Sequence, residues 1–231
     1  MVEKGVDILE LGIPFSDPEA EGPAIQASSE RALKQGIRTG DVLDLVARFR
    51  RSDDRTPVLL MGYVNSIERM GVTRFVEQAS TAGVDGLIMV NLPPEEAAEL
   101  KDALAKRNMD LIFLVAPTTS AKRMDLICNQ ASGFIYYVSL KGTTGAGHLD
   151  LGSVAERLEE LRRHTTLPVQ VGFGIRDGNS ARGAAELADG VVVGSALVEI
   201  MAAHAENPSN IPDLLGEQVA LLRQAMDSPR R

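Results

Sequence analysis

Two carboxylates frame the first apolar run of the chain. Glu10 lies inside VDILELGI (6–13), and Glu21 follows in the Pro- and Gly-rich stretch PFSDPEAEGP. A carboxyl group near the end of a buried strand is poorly solvated when charged. Its pKa rises, and it can hold or exchange a proton near neutrality. A second acid on a loop that returns over the strand end can take the opposite role, one giving a proton where the other accepts. The plainer alternative for Glu10 is an ion pair with a nearby base, and Asp17 in FSDP has the local pattern of a turn residue. Three glycine-rich turns form a second group: SLKGTTGAG (139–147), VGFGI (171–175) and VVVGSAL (191–197). Glycines at the ends of successive strands let backbone N–H groups approach a phosphate closely, with Ser195 adding a hydroxyl. HExxH and Cys/His clusters are absent, and His148, His164 and His204 are scattered, so no metal site is expected.

These groups need a frame, and the sequence supplies a repeating one. Seven short apolar runs (6–13, 56–63, 84–90, 109–116, 133–140, 167–175 and 189–197) alternate with amphipathic segments (24–36, 42–51, 72–83, 95–108, 121–131, 154–164 and 180–188). A closing helix is expected over 209–226. The runs lack clean two-residue alternation, which suits strands covered on both faces. Repeated βα units predict a parallel sheet, either doubly wound or closed as a (βα)8 barrel. Polar and Gly-rich residues follow nearly every strand, as a barrel with its working face at the strand ends requires. GxGxxG after the first strand is missing, against a Rossmann sheet. The expectation is therefore an α/β TIM barrel lacking its first βα unit, a single domain over 1–226 with a frayed tail at 227–231.

The 231 residues are 44% hydrophobic and 24% charged, with a net charge of −8 that offers no basic face to nucleic acid. One cysteine, Cys128, precludes an internal disulfide framework and fits a reducing cytoplasm. No run approaches a membrane span, and the N-terminus lacks a signal-peptide pattern.

LELGIPFSDPEAEGPAIQ, LLMGYVN, LPPEE, FLVAPTT, GFIYYVSLKGTTGAG, VGFGI and VVVGSAL, in this order, closely resemble the tryptophan synthase α subunit. The resemblance runs from about Val6 to Glu199. It implies a barrel that cleaves indole-3-glycerol phosphate to indole and glyceraldehyde 3-phosphate, a retro-aldol step using neither metal nor cofactor. Pyridoxal phosphate is expected only on a β partner, in an α2β2 heterotetramer. The family's acid/base glutamate corresponds to Glu10, which protonates the indole ring and takes the glycerol hydroxyl proton. The acid serving the indole N–H corresponds to Glu21. Substrate contacts correspond to Tyr136, Thr144, Gly145, Phe173, Gly174, Gly194 and Ser195, and Pro14 and Asp17 correspond to positions facing the β subunit.

The sequence departs from the family at three places. Glu21 stands for an aspartate, Asn91 stands for an aspartate that tethers a mobile loop, and the family's N-terminal βα unit has no counterpart before Met1. Two other readings follow from the same residues: a catalytically weak α-like subunit that binds and modulates a β partner, or a different phosphosugar barrel. The LELGIPFSDP loop argues against the second.

Overall fold

The computed structural model describes residues 1–138, 151–172 and 174–228. The strands are β1 (Leu9–Gly12), β2 (Val58–Gly62), β3 (Gly86–Met89), β4 (Asp110–Val115), β5 (Ile135–Val138), β6 (Val169–Gly172) and β7 (Gly190–Val192). They form one parallel sheet whose spatial order is the sequence order. A doubly wound sheet reverses its order at a switch point, whereas consecutive order is how a barrel winds. The sheet is a curled TIM-barrel wall of seven strands. β1 and β7 are its two edges, with no ladder between them among the described residues.

Each strand is covered twice. Leu9 and Leu11 of β1, Leu60 of β2, Leu87 of β3, Phe113 of β4, Ile135 and Tyr137 of β5, and Val171 of β6 belong to the large core between sheet and helices. The alternate residues Ile8, Leu59, Ile88, Ile112, Phe134 and Tyr136 fill the concave side. Two apolar faces explain why the strands read as continuous apolar runs. By this alternation Glu10 points to the concave side, next after Ile8.

The helices are α1 (Pro23–Lys34), α2 (Thr39–Phe49), α3 (Val64–Met70), α4 (Val72–Ala82), α5 (Ala98–Ala105), α6 (Ala121–Gln130), α7 (Leu151–Leu161), α8 (Gly178–Ala185), α9 (Ser195–Ala203) and α10 (Ile211–Asp227). Local chemistry sets several of their ends. Pro23 occupies the first turn of α1, where its fixed φ suits the helix and no N–H is needed, and Arg31 and Lys34 complement the dipole at the other end. Asp177 caps α8 by accepting from Ser180 N at 2.9 Å.

Two aspartates pin neighbouring strands from the opposite end to the glycine-rich turns. Asp85 donates its backbone N–H to Val58 O at 2.9 Å while its carboxylate accepts from Val58 N at 2.7 Å and from Arg50 at 2.5 Å. Asp189 repeats this on β6, donating to Val169 O and accepting from Val169 N, both at 2.9 Å.

Three sequence expectations are corrected. The run 189–197 is a strand only to Val192: after Gly194 the chain turns into α9, because SALVEI lets Leu197 and Val198 close helical bonds back to Gly194 O. The polar stretch after β2 is the start of α3, with buried Ile67 facing the core and Gly71 ending it. Asp227, placed in the frayed tail, is the last residue of α10 and binds Arg223 at 2.7 Å.

Around the sheet's open side, α1 packs on α9 although their strands do not pair. α10 packs on the turn Val2–Lys4, and Arg223 binds Asp7 at 2.7 Å.

Candidate active site

The site lies on the concave side, at the strand ends that lead into the polar loops. Glu10 is in register with Leu59 of β2, so its carboxyl is set among apolar side chains of the interior face. Burial raises its pKa from the ordinary 4.5 to about 7, and the negative charge of Glu21 pushes the same way. At neutral pH the group is therefore divided between acid and base.

Glu21 is carried by the loop after β1. Its N–H donates to Pro18 O at 3.0 Å, and Gln26 Nε2 donates to its carbonyl at 2.9 Å. Glu19 N to Asp17 O at 2.9 Å tightens the preceding turn. The loop then meets β2: Ala20 N donates to the hydroxyl of Tyr63 at 2.9 Å, and the Tyr63 ring stacks on Phe15 with centroids 4.9 Å apart. Burial raises the Glu21 carboxyl above its ordinary range.

Tyr136 on β5 is buried, and its ionisation is pushed far up, first by burial and then by the charges of Glu10 and Glu21. It stays a neutral phenol, able to donate a hydrogen bond, throughout the pH range in which the two acids titrate. Its hydroxyl lies over Gly172: a Cβ there would be 2.3 Å from Tyr136 Oη. The structure thus brings Glu10, Glu21 and Tyr136 into one electrostatic neighbourhood.

Gly174, Gly194 and Ser195 follow the last two strands, β6 and β7. Gly174 adopts φ +76°, a conformation that favours glycine. Gly194 precedes the first turn of α9, where an added Cβ would meet no atom of the described residues within 4 Å, and Ser195 is the first helical residue. Space before a helix N-terminus suits an anion. Thr144, Gly145 and Phe173, together with the rest of the loop 139–147 and His148, lie outside the described residues. Pro14 is half-buried, and Asp17 is exposed with Ser16 Oγ donating to it at 2.5 Å. Asn91 accepts from Val64 N at 2.8 Å and donates to Asn65 Oδ1 at 3.0 Å, so it ties the end of β3 to the start of α3. Among the described residues, no three His, Cys, Asp or Glu side chains come together as a metal would need, and no helix is long and apolar enough to cross a membrane.

Sequence reasoning missed Tyr63 and Gly172. Tyr63 carried a signal in its position at a strand end in LLMGYVN. Gly172 carried none beyond being one of several glycines.

Comparison with known proteins agrees with this geometry. The tryptophan synthase alpha chain family profile matches residues 1–227. The tryptophan synthase alpha chain of Alkalilimnicola ehrlichii is 51% identical over 227 residues, covering 98% of this chain and 83% of that protein. That of Nitrosococcus oceani is 52% identical over 228 residues, covering 99% and 84%. The crystal structure of tryptophan synthase subunit alpha from Legionella pneumophila superposes with a TM-score of 0.89 at 44% identity, over 98% of this chain and 84% of that one. The tryptophan synthase complex from Pyrococcus furiosus gives 0.84 at 35% identity, over 96% and 88%. The sequence motifs, the consecutive parallel strands and these matches lead to one conclusion: the chain belongs to the tryptophan synthase alpha chain family, the lyases of tryptophan biosynthesis that cleave indole-3-glycerol phosphate.

Proposed function

We propose that Glu10 and Glu21 carry this cleavage between them. The observation that supports the reading most is the concave-face position of Glu10, with a carboxyl that titrates near 7 beside a second acid. In its protonated form Glu10 delivers a proton to C3 of the indole ring. The positive charge that develops on the indole nitrogen is met by Glu21, which accepts the N–H. Glu10, now a carboxylate, takes the proton of the glycerol hydroxyl on the carbon bonded to the ring. That oxygen becomes the aldehyde carbonyl of glyceraldehyde 3-phosphate. The carbon–carbon bond breaks, and its electrons return to the ring to give indole. Glu10 ends as it began, protonated, so the cycle closes without a metal or cofactor.

Tyr136 packs against the reacting side chain as a neutral phenol. The phosphate binds at Gly145, Phe173, Gly174, Gly194 and Ser195, and Thr144 helps to order the second acid, Glu21. The start of α9 favours an anion there.

Alpha chains act with a β subunit, and the Pyrococcus furiosus relative was solved as a tryptophan synthase complex. For this chain we propose an α2β2 assembly in the cytoplasm, with pyridoxal phosphate held by the β subunit. Pro14 and Asp17, on the rim of the loop that carries Glu21, face that partner. The test is indole release from indole-3-glycerol phosphate by the purified chain, with and without a β subunit. Steady release that the β subunit accelerates is expected. Absence of release in both conditions overturns the assignment.

A further inference from the structure

We propose that Tyr63 is the positioning residue for Glu21, holding the loop that carries this acid at a fixed place relative to Glu10. The proposal rests on the cleavage roles given above and adds the element that sets their geometry.

Tyr63 follows β2 directly and is 6% exposed. It grips the loop after β1 twice. The ring stacks on Phe15 near the loop's start, and the hydroxyl accepts the N–H of Ala20, the residue before Glu21. The bonds within the loop, from Glu19 to Asp17 and from Glu21 to Pro18, give it a shape but tie it to no strand. The Tyr63 grips tie it to β2. Since Glu10 is in register with Leu59 of that same strand, both acids are referred to one rigid frame. Asn91 steadies the anchor from the other side by accepting the N–H of Val64. A core aromatic would need only its ring. Here the hydroxyl reaches a backbone N–H on the loop that bears the second acid.

The consequence is specific. Tyr63→Phe keeps the stack and deletes one oxygen. The core should hold, while the loop loses its second grip. A displacement of about 1 Å at a reacting group can cost on the order of 10²-fold in rate. Binding of indole and phosphate depends mainly on other residues, so the loss belongs in kcat. A looser loop also admits water to Glu21, whose carboxyl is raised by burial. Among the described residues, the groups that share an electrostatic interaction with Glu21 are Glu10 on β1, Tyr136 on β5 and Tyr63 itself, and Glu19 acts on Tyr63. None of these is removed as a charge by the substitution, so any change in titration reports on the loop.

The experiment compares the parent chain with Tyr63→Phe, and with Phe15→Leu, which removes the stack from the other side. It measures kcat and KM for indole release across pH, with thermal melts as a folding check. The expected result is a kcat fall of 10-fold or more, up to roughly 10²-fold, with KM within twofold. The limb of the kcat profile assigned to Glu21 moves to lower pH. Phe15→Leu moves both readouts in the same direction. A kcat within twofold of the parent, or a loss confined to KM with an unmoved limb, overturns the proposal. Should the parent chain release no indole, the functional assignment fails on its own. Tyr63 is then judged by carbon NMR titration of Glu21: an acidward move in Tyr63→Phe upholds the positioning role, and an unchanged curve removes it.

Discussion

The hydroxyl of Tyr136 on β5 fills the space that a side chain at Gly172 on β6 would need: an added Cβ would stand 2.3 Å from Oη and 2.6 Å from Cζ. Neighbouring strands place the two residues on the same concave face, with Tyr136 in register with Gln170 and Gly172 in register with Val138. The tyrosine can lie beside the acids only because β6 offers no side chain there. Gly172→Ala should therefore push the ring out of place and destabilise the chain by about 1–3 kcal/mol, the usual cost of overpacking. A smaller residue at 136 should relieve it, so Gly172→Ala with Tyr136→Leu should lose less stability than the two single changes added together. Urea unfolding of the four proteins checks this, and strict additivity would contradict it.

Glu21→Asp tests whether the longer acid is a handicap. The backbone of residue 21 is held by Pro18 and Gln26, so shortening the side chain moves the carboxylate by about 1 Å without moving the loop. The expected result is a higher kcat for indole release. A fall would mean that the surroundings of Glu21 are fitted to the longer side chain.

The raised pKa of Glu10 makes a prediction about stability. In the unfolded chain the group titrates at the ordinary 4.5, and in the folded chain at about 7. Between these values the native state holds a proton that the unfolded state has lost, so its contribution to stability falls as pH rises. That contribution is complete below 4.5 and is lost as pH passes through 7, an effect of at most about 3 kcal/mol. Glu10→Gln removes this dependence. Denaturant unfolding at pH 5 and pH 8 should show the parent losing more stability over that interval than Glu10→Gln, and parallel losses would contradict the burial of Glu10.

Among the described residues β1 and β7 have unpaired edges, and such edges recruit other strands. On β1, Leu9 N and Ile13 N bond to β2, so the N–H groups of Glu10 and Gly12 face the open side. The chain should associate with rising concentration in light scattering after size exclusion. Gly12→Pro removes one outward N–H at a place where an added Cβ meets nothing of the described residues within 4 Å, and it should reduce that association. A parent that stays monomeric across concentration would refute edge pairing.

The strands and most helices were legible because apolar runs and Gly, Pro or Asp boundaries are local signals. The inward direction of Glu10 near the end of β1 was legible too, and the sheet agrees with it: Leu9 and Leu11 lie toward the helices and Ile8 toward the concave face. The β-branched run Val191–Val193 concealed the turn into α9, whose start is fixed by bonds to Gly194 rather than by composition. The chemistry residues Glu10 and Glu21 were readable as acids in unusual settings. Gly172 and Tyr63 were not, because their reasons lie far along the chain: a ring on the next strand in one case, and in the other a backbone N–H at residue 20.

The role of Glu10 is tested most directly by single-turnover cleavage of indole-3-glycerol phosphate with Glu10→Gln. The change is close to isosteric and removes only the capacity to transfer a proton. The rate of indole formation should fall about 10²–10⁴-fold, with cooperative unfolding retained. A folded Glu10→Gln chain that forms indole at the parent rate would contradict it.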